Sequence, residues 1–298
     1  MRMCARKLKK PRRARRDSST CGLTPRWLLV TLAAAIAVAL ANAGGRADAA
    51  AGGTQSAQTV VSLTFDDGPK TQYSVRETLR SHGMRATFFV NSGLTSDDPG
   101  AWRMTWTQLH DLAADGNEIA AHALTGQNLT LLTPDQQRQQ ICSDRLNLIK
   151  RGFAPVTSFA YPYGAYNGST ESIVQGCGYT SARALGGIRS NLCPSCAFAE
   201  TIPAADPFAT RTLPDIRSTT SLATMEQYVT QAESNGGGWV QLVFGSICSD
   251  CGEYGATLEQ LTAFLDWLQP RAANGTVVKT VAATTRDTPS TTPPPPKK

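Results

Sequence analysis

Short apolar runs alternate with stretches of helical period over residues 59–283. Val60–Thr64 reads as a strand, and Tyr73–His82 as a helix that Gly83 ends. Ala86–Val90, β-branched and aromatic, reads as the next strand. A helix over Thr107–Ala114 passes through Gly116 to a short strand at Glu118–Ala120. Thr133-Pro134-Asp135-Gln136 marks a helix start: a hydroxyl cap, proline at the first helical position, and glutamine three residues after the cap. That helix places Cys142, Leu146 and Ile149 on one stripe. Strands at Ser158–Ala160 and Thr180–Arg183 flank a helix over Glu171–Cys177. A helix over Leu222–Ser234 leads through Gly236-Gly237-Gly238 into the apolar strand Trp239–Phe244. Thr257–Gln260 caps a helix to Leu268, and Val277–Val281 closes the series. This alternation predicts an α/β fold with a parallel sheet, open or closed into a barrel. Its chemistry belongs just beyond the C-terminal ends of the strands.

The ends of the chain have a different texture. Residues 1–49 hold a basic segment (Arg2 to Arg16, and Arg26), then nineteen uncharged residues from Trp27 to Gly45. Ala41-Asn42-Ala43 and Ala47-Asp48-Ala49 both have the small-residue form of a cleavage site, so the segment reads as an export signal. A secreted, extracellular or cell-envelope location follows. Nineteen uncharged residues also just span a bilayer, so an uncleaved anchor is the alternative and the expected route to any membrane. Residues 50–58 form a small polar linker. Residues 284–298 are Thr/Pro-rich and end in Pro293-Pro294-Pro295-Pro296-Lys297-Lys298, an extended solvated tail. The folded domain is placed at 59–283, without internal repeats, as a monomer.

Charge removes one class of partner. The chain has 29 Lys+Arg against 23 Asp+Glu, a net +6. Residues 1–49 account for it, with eleven Lys/Arg and two Asp; the remainder carries 18 basic against 21 acidic residues. The domain therefore has no phosphate-binding face, and no nucleic-acid partner is expected. Histidine is scarce: His82, His110 and His122 are all there is.

Three stretches carry candidate chemistry. Leu63-Thr64-Phe65-Asp66-Asp67-Gly68-Pro69 sets adjacent carboxylates at a strand end before a Gly-Pro turn. One can bind a cation while the other takes a proton from water, although an Asp pair that merely caps a turn looks the same. Gly116-Asn117-Glu118-Ile119-Ala120-Ala121-His122 brings a histidine to the edge that Asp67 occupies if the strands are parallel. Phe159-Ala160-Tyr161-Pro162-Tyr163-Gly164 makes a rigid aromatic turn whose backbone N–H could hold an oxyanion. His82, in a last helical turn before Gly83, and His110, mid-helix beside Asp111, read as structural.

Together these stretches resemble the polysaccharide deacetylases, the NodB-type homology domain of carbohydrate esterase family four, over about residues 60–281. Thr64-Phe65-Asp66-Asp67-Gly68 matches the family's first motif completely. The stretches around His122, Tyr161-Pro162-Tyr163-Gly164 and Gly238–Phe244 fall in the family's order and spacing. The resemblance implies a distorted (β/α) barrel of about seven parallel strands. It also implies metal-dependent hydrolysis of N-acetyl groups on an amino-sugar polymer, chitin-like or peptidoglycan-like. In that scheme Asp66 is the general base, Asp67 and His122 hold a divalent zinc- or cobalt-like ion, and the Tyr163 backbone N–H holds the oxyanion. Tyr161, Pro162, Arg183 and Trp239 are the candidate substrate contacts.

The departures from the family's pattern bear on activity. The third metal-ligand position is Gly126, within His122-Ala123-Leu124-Thr125-Gly126. The family's late histidine, the proton donor to the leaving amine, is replaced where Leu242-Val243-Phe244 runs into Gly245. Ala160 stands where many members have Arg, and the Asp-Trp motif expected after Gly178-Tyr179 is absent, with Arg183 the charged residue nearby. A proton donor contributes about 10²–10⁴-fold in rate, and weakening the shell of a metal costs ~10–100-fold in affinity. The implied protein is a slow deacetylase, or an inactive descendant that binds glycan through Tyr161, Tyr163 and Trp239.

Cysteine offers a third reading. Six of the eight cysteines lie outside the leader: Cys142, Cys177, Cys193, Cys196, Cys248 and Cys251. Cys193-Pro194-Ser195-Cys196 and Cys248-Ser249-Asp250-Cys251 could form a four-thiolate zinc site or a redox motif. An exported chain with an even count favours disulfides instead. The expected set is Cys142–Cys177, with the two C-x-x-C pairs bridged within or between themselves.

Overall fold

The computed structural model describes residues 58–286. The export signal and nearly all of the linker and tail expected from the sequence lie outside the described residues. Among the described residues no helix is long and apolar enough to cross a membrane.

The spine of the fold is β1 (Thr59–Asp67). On one side it pairs in parallel with β8 (Gly238–Phe244). On the other it pairs with β11 (Thr276–Val278) through its first three residues and with β2 (Thr87–Val90) through its last four. From β2 the sheet continues through β3 (Glu118–Ala121), β4 (Ser158–Ala160) and β5 (Ser181–Gly187) to β6 (Thr210–Thr212), every pair parallel. The last member, β7 (Asp215–Ile216), pairs with β8. Only Leu213 and Pro214 separate β6 from β7, so one kinked segment pairs with β5 through its first half and with β8 through its second. Gln241 ties this seam. Its Nε2 donates to Thr210 Oγ1 at 3.2 Å and to the Arg211 carbonyl at 3.1 Å, and its carbonyl accepts from Leu213 N at 3.4 Å. Counting β6–β7 as one and leaving aside β11, which pairs with β1 off the main strand path, the curled sheet is the distorted seven-strand parallel barrel that the resemblance implies.

Helices α1 (Val75–Ser81), α2 (Trp106–Ala114), α3 (Pro134–Lys150), α4 (Gly168–Gly176), α5 (Leu222–Ser234) and α6 (Leu258–Leu268) supply the connections. Capping boxes at Thr105/Gln108, Thr133/Gln136 and Thr257/Gln260 start α2, α3 and α6, each cap contributing roughly 1 kcal/mol. Alternation along β1 separates two layers. Val61, Leu63 and Phe65 pack with Val75, Leu79, Leu109 and Phe264 of the helices in the main core. Phe65 stacks between Phe88 at 4.9 Å and Phe244 at 5.2 Å, its partners on the two neighbouring strands. The other row, Val60, Ser62, Thr64 and then Asp66, belongs to the barrel interior, where Val60 clusters with Phe89, Ala120, Ala160 and Trp239. The parity that puts Phe65 against the helices therefore delivers Asp66 to the mouth of the barrel.

Two expectations about helices change. The buried face of α3 is Gln137, Ile141, Asp144 and Leu148. The stripe of Cys142, Leu146 and Ile149 lies one residue, about 100°, round the helix, and Leu146 is 51% exposed. Cys142 is positioned by its bridge to Cys177 rather than by apolar burial. At the C-terminus, α7 (Val281–Arg286) runs three residues into the stretch expected as tail. Its start is anchored by Val281 N on Thr87 Oγ1 and Ala282 N on Glu118 Oε2, each at 2.9 Å.

Candidate active site

The C-terminal ends of β1, β3, β5, β7 and β8 meet around a cavity of about 480 Å³. Asp66, Asp67, His122, Pro162, Tyr163 and Arg183 line it, so most of the residues singled out from three separate stretches do converge. Both oxygens of Asp66 accept from Arg183 Nη2 at 2.6 Å. The Arg183 side chain is 2% exposed and lies over the Phe89 ring at 5.0 Å. A guanidinium buried this deeply needs a carboxylate partner. Arg183, expected along the substrate, is instead committed to holding Asp66.

Asp67 adopts φ +70°, a left-handed conformation that turns its side chain out of the strand pattern. Its Oδ1 lies 3.8 Å from His122 Nε2 and 3.7 Å from Arg103 Nη1. Arg103 also donates to the Asp67 carbonyl and stacks on Trp102 at 4.1 Å. Burial pulls the Arg103 guanidinium below its usual range, with the Asp67 charge opposing. His122 is oriented from behind: Nδ1 lies 2.9 Å from the Ala160 carbonyl, which only accepts, so Nδ1 carries a proton and Nε2 faces Asp67.

A buried carboxylate that sequence reading missed fixes the His122 backbone. Asp144 on α3 accepts from His122 N at 3.1 Å, and from Ser92 N and Oγ at 3.0 and 2.5 Å. Burial pushes its carboxyl up to about 7, against the pull of those three donors. Asp67, Ala123 and Tyr163 are the non-glycine residues with positive φ among the described residues. Each such residue costs on the order of 1 kcal/mol or more, and strain of this kind gathers at functional sites. Here Asp67 and Tyr163 line the cavity and Ala123 follows His122.

The aromatic candidates divide. Tyr163 is 74% exposed at the cavity, beside Pro162. Tyr161 is buried, donates to the Phe208 carbonyl at 3.0 Å and stacks on Tyr166, so it is a packing residue rather than a substrate contact. Trp239 is 1% exposed at the opposite, N-terminal end of β8, with Nε1 donating to Ser62 Oγ at 2.9 Å. It too is no substrate contact. His82 pairs with Asp266 and the Thr78 carbonyl, and His110 stacks on Phe153, both as structural groups.

Three lining residues with polar or charged side chains are not among the candidates from the sequence: Asp215, Arg217 and Tyr254. Burial pushes the Asp215 carboxyl up, the Asp66 charge adds to that, and Arg183 and Arg217 oppose it. Tyr254 sits on the loop between β9 (Ser246–Ile247) and β10 (Gly255–Ala256), a loop closed by the Cys248–Cys251 bridge. The other cysteines pair as Cys142–Cys177 and Cys193–Cys196. The four-thiolate alternative is therefore not formed, and each C-x-x-C pair is bridged within itself.

The donor set does not fit a metal centre with three protein ligands. Asp67 and His122 are correctly juxtaposed, but Gly126 brings no side chain. Asn91 beside it uses Nδ2 on the His122 and Ala123 carbonyls, at 2.6 and 3.0 Å, leaving a buried, unpartnered Oδ1. Among the described residues no group of three His, Cys, Asp or Glu side chains is placed to hold an ion. Positive charge at the carboxylates comes from Arg183 and Arg103 instead.

Comparison with known proteins agrees with the motif reading. Residues 53–182 match the polysaccharide deacetylase family model. Bacillus subtilis strain 168 protein YxkH is 28% identical over 120 residues, 40% of this chain and 42% of that one. The peptidoglycan-N-acetylglucosamine deacetylase PgdA of Listeria monocytogenes is 29% identical over 110 residues, 36% of this chain and 22% of that one. The matched stretch thus spans less than half the length of these curated relatives. Among solved structures, the Xyl-CE4 domain of a multidomain xylanase from the hindgut metagenome of Trinervitermes trinervoides is 18% identical with a TM-score of 0.49, over 77% of this chain and 90% of that one.

Proposed function

For a chain whose residues 53–182 match the polysaccharide deacetylase family model, we propose a protein that recognises N-acetylated amino-sugar polymers, chitin-like or peptidoglycan-like, and hydrolyses their N-acetyl amides slowly. The groove over Asp66, Asp67 and His122 is the binding site. The observation that carries this reading is the convergence of that trio with the strained backbones of Asp67 and Tyr163 on one cavity at the strand ends. Strain maintained at a groove wall indicates a site held in shape for a ligand.

The same geometry accounts for slowness. Asp66, the candidate base, has both oxygens engaged by Arg183, so accepting a proton costs it a charge-assisted hydrogen bond. Gly245 offers no acid to the leaving amine, a loss of about 10²–10⁴-fold where a proton donor is needed. His122 Nε2, next to Asp67, is the group best placed to move a proton at the cavity floor. Tyr163 contributes an exposed ring for a sugar face beside a backbone N–H at the turn. The basic-then-apolar leader and the paired cysteines support an exported setting in which such polymers are met.

A second reading, glycan binding without turnover, is favoured by the Arg183–Asp66 clamp itself, which neutralises the candidate base in a buried ion pair. Acetate release by the full chain on N-acetylated glycans, with zinc or cobalt added, separates the two. Release that Asp66→Asn abolishes supports slow hydrolysis. Binding without release supports the second reading, and absence of both binding and release sinks the glycan proposal.

A further inference from the structure

A second, wider cavity of about 850 Å³ adjoins the first, and the two share Asp215 and Arg217 in their walls. Hydroxyls and carboxamides dominate this second wall: Ser190, Asn191, Thr220, Thr224, Gln227 and Gln231. Two cations face it. Arg217 is engaged with Asp215 at 3.9 Å and with Glu253, and it lies over the Tyr254 ring. Arg189 is placed differently. Its Nε donates to the Cys196 carbonyl at 3.1 Å, its plane lies over Phe198 at 4.2 Å, and its own carbonyl accepts from Gln231 Nε2 at 2.9 Å.

These contacts hold the guanidinium in position without answering its charge. None of the ion pairs found among the described residues involves Arg189. The loop it stands on is braced by the Cys193–Cys196 bridge and by reciprocal backbone hydrogen bonds between Ser190 and Cys193. A planar fork fixed at its Nε edge, with no acid partner on its Nη groups, is a preorganised receptor for a carboxylate.

We propose that this cavity is a subsite for a carboxylate-bearing substituent of the polysaccharide, with Arg189 as its anion-binding group. The inference rests on the glycan reading above and narrows it to acidic polymers, whose neighbouring sugars extend past Asp215 and Arg217 from the Asp66 groove. A neutral polymer offers the neutral polar wall its hydroxyls but leaves the Arg189 charge unmatched.

The test is equilibrium binding of the full chain to two N-acetylated hexasaccharides of equal length. One carries ether-linked lactate carboxylates on alternate sugars; the other is the same molecule with those carboxylates amidated. The acidic hexamer is expected to bind at least about ten-fold more tightly, as a charge-assisted pair gives, with the gap shrinking as salt rises. Arg189→Gln should close the gap by weakening the acidic hexamer, and an unchanged circular dichroism spectrum and thermal melt report that the variant is folded. Arg189→Lys should keep part of the gap. Equal binding of both hexamers to the unmodified chain overturns the subsite and leaves the glycan reading standing. Failure of the unmodified chain to bind either one overturns both.

Discussion

The Tyr254 carbonyl oxygen lies 2.5 Å from the point where a Cβ on Gly245 would sit. That distance is closer than real Cβ contacts allow, and the atom is backbone on a disulfide-closed loop, so it does not yield cheaply. A histidine at 245 therefore cannot be added without displacing the Cys248–Cys251 loop, which occupies the space. Gly245→His is expected to lower stability by roughly 1–3 kcal/mol, the usual range for overpacking, without adding acetate release. Gly126→His meets a different obstacle. Its φ is +69°, and a Cβ would lie 3.1 Å from Asn91 Nδ2, which two carbonyls hold in place. Thermal melting and acetate assays on the two single variants decide this; a Gly245→His protein with an unchanged melting temperature and a clear gain in turnover contradicts it.

Arg183 and Asp66 are the most buried ion pair at the site, with side chains 2% and 17% exposed. Removing one partner leaves an uncompensated charge, which typically costs about 3–5 kcal/mol. Arg183→Met is expected to destabilise the domain by that order, and Asp66→Asn by less, since Asp215 is close enough to share the Arg183 charge. The double variant Asp66→Asn/Arg183→Met should recover much of the loss. Denaturant melts of the three proteins check this, and additive losses in the double variant would rule out a coupled pair.

The barrel was readable from the sequence because its signals are local. Thr133-Pro134-Gln136 announces α3, and the β-branched run before Asp66-Asp67 announces β1. The site was half readable. Asp66, Asp67, His122 and Tyr163 sit where strands end, and motif spacing finds such positions. Asp215 and Tyr254 come from a two-residue strand and a disulfide loop, where no periodicity marks them. Arg183 carries a signal of its own in the sequence: a lone charge inside an apolar strand requires a buried partner, and Asp66 is the carboxylate it meets. Trp239 lies in the right strand but at its wrong end: it opens β8, and the site lies where β8 closes, a distinction that an aromatic residue in an apolar run does not carry.

Asp144 makes stability depend on pH with a definite sign. Its folded carboxyl is pushed up to about 7 by burial, whereas an unfolded aspartate titrates near ~3.9. The folded state therefore binds the proton more tightly. The resulting stability is fully present below pH ~4 and is lost as pH rises to about 7, on the order of 4 kcal/mol across the window. Glu118, also raised by burial, acts in the same direction. Asp144→Asn should flatten the pH dependence over that window. It should also lower stability at every pH, because an amide NH2 in place of an oxygen opposes the Ser92 or His122 N–H. Chemical denaturation from pH 4 to 8 on both proteins gives the comparison; parallel curves would show that Asp144 does not titrate in this range.

The three bridges are expected to differ in weight. Cys142–Cys177 closes a separation of 35 residues and joins α3 to the end of α4, whereas Cys193–Cys196 and Cys248–Cys251 each close a separation of 3. On loop-closure entropy the long bridge contributes about 3–4 kcal/mol and each short one about half of that. Cys142→Ala/Cys177→Ala should lower the melting temperature strongly. Removing either short pair should lower it by about half as much while altering ligand binding, since Pro194 and Tyr254 on those loops line the two cavities. Equal thermal losses from all three pairs would contradict the ranking.

Trp239 and Tyr163 should separate stability from binding in opposite directions. Trp239 is packed among Val60, Phe89 and Val281 and bonds Ser62 Oγ, which in turn donates to the Lys279 carbonyl. Trp239→Phe loses one buried hydrogen bond and leaves a void, together roughly 1–3 kcal/mol, at a position remote from the groove. Glycan affinity should not change. Tyr163 pays backbone strain at φ +61° for a ring that is mostly exposed. Tyr163→Gly relieves that strain, worth ~1 kcal/mol, partly offset by the greater freedom of glycine in the unfolded chain. The variant should melt at or slightly above the unmodified temperature and yet bind glycan several-fold more weakly. If Tyr163→Gly binds as well as the unmodified chain, the exposed ring is no part of the sugar site, and the groove's contacts come from other lining residues such as Tyr254 and Arg217.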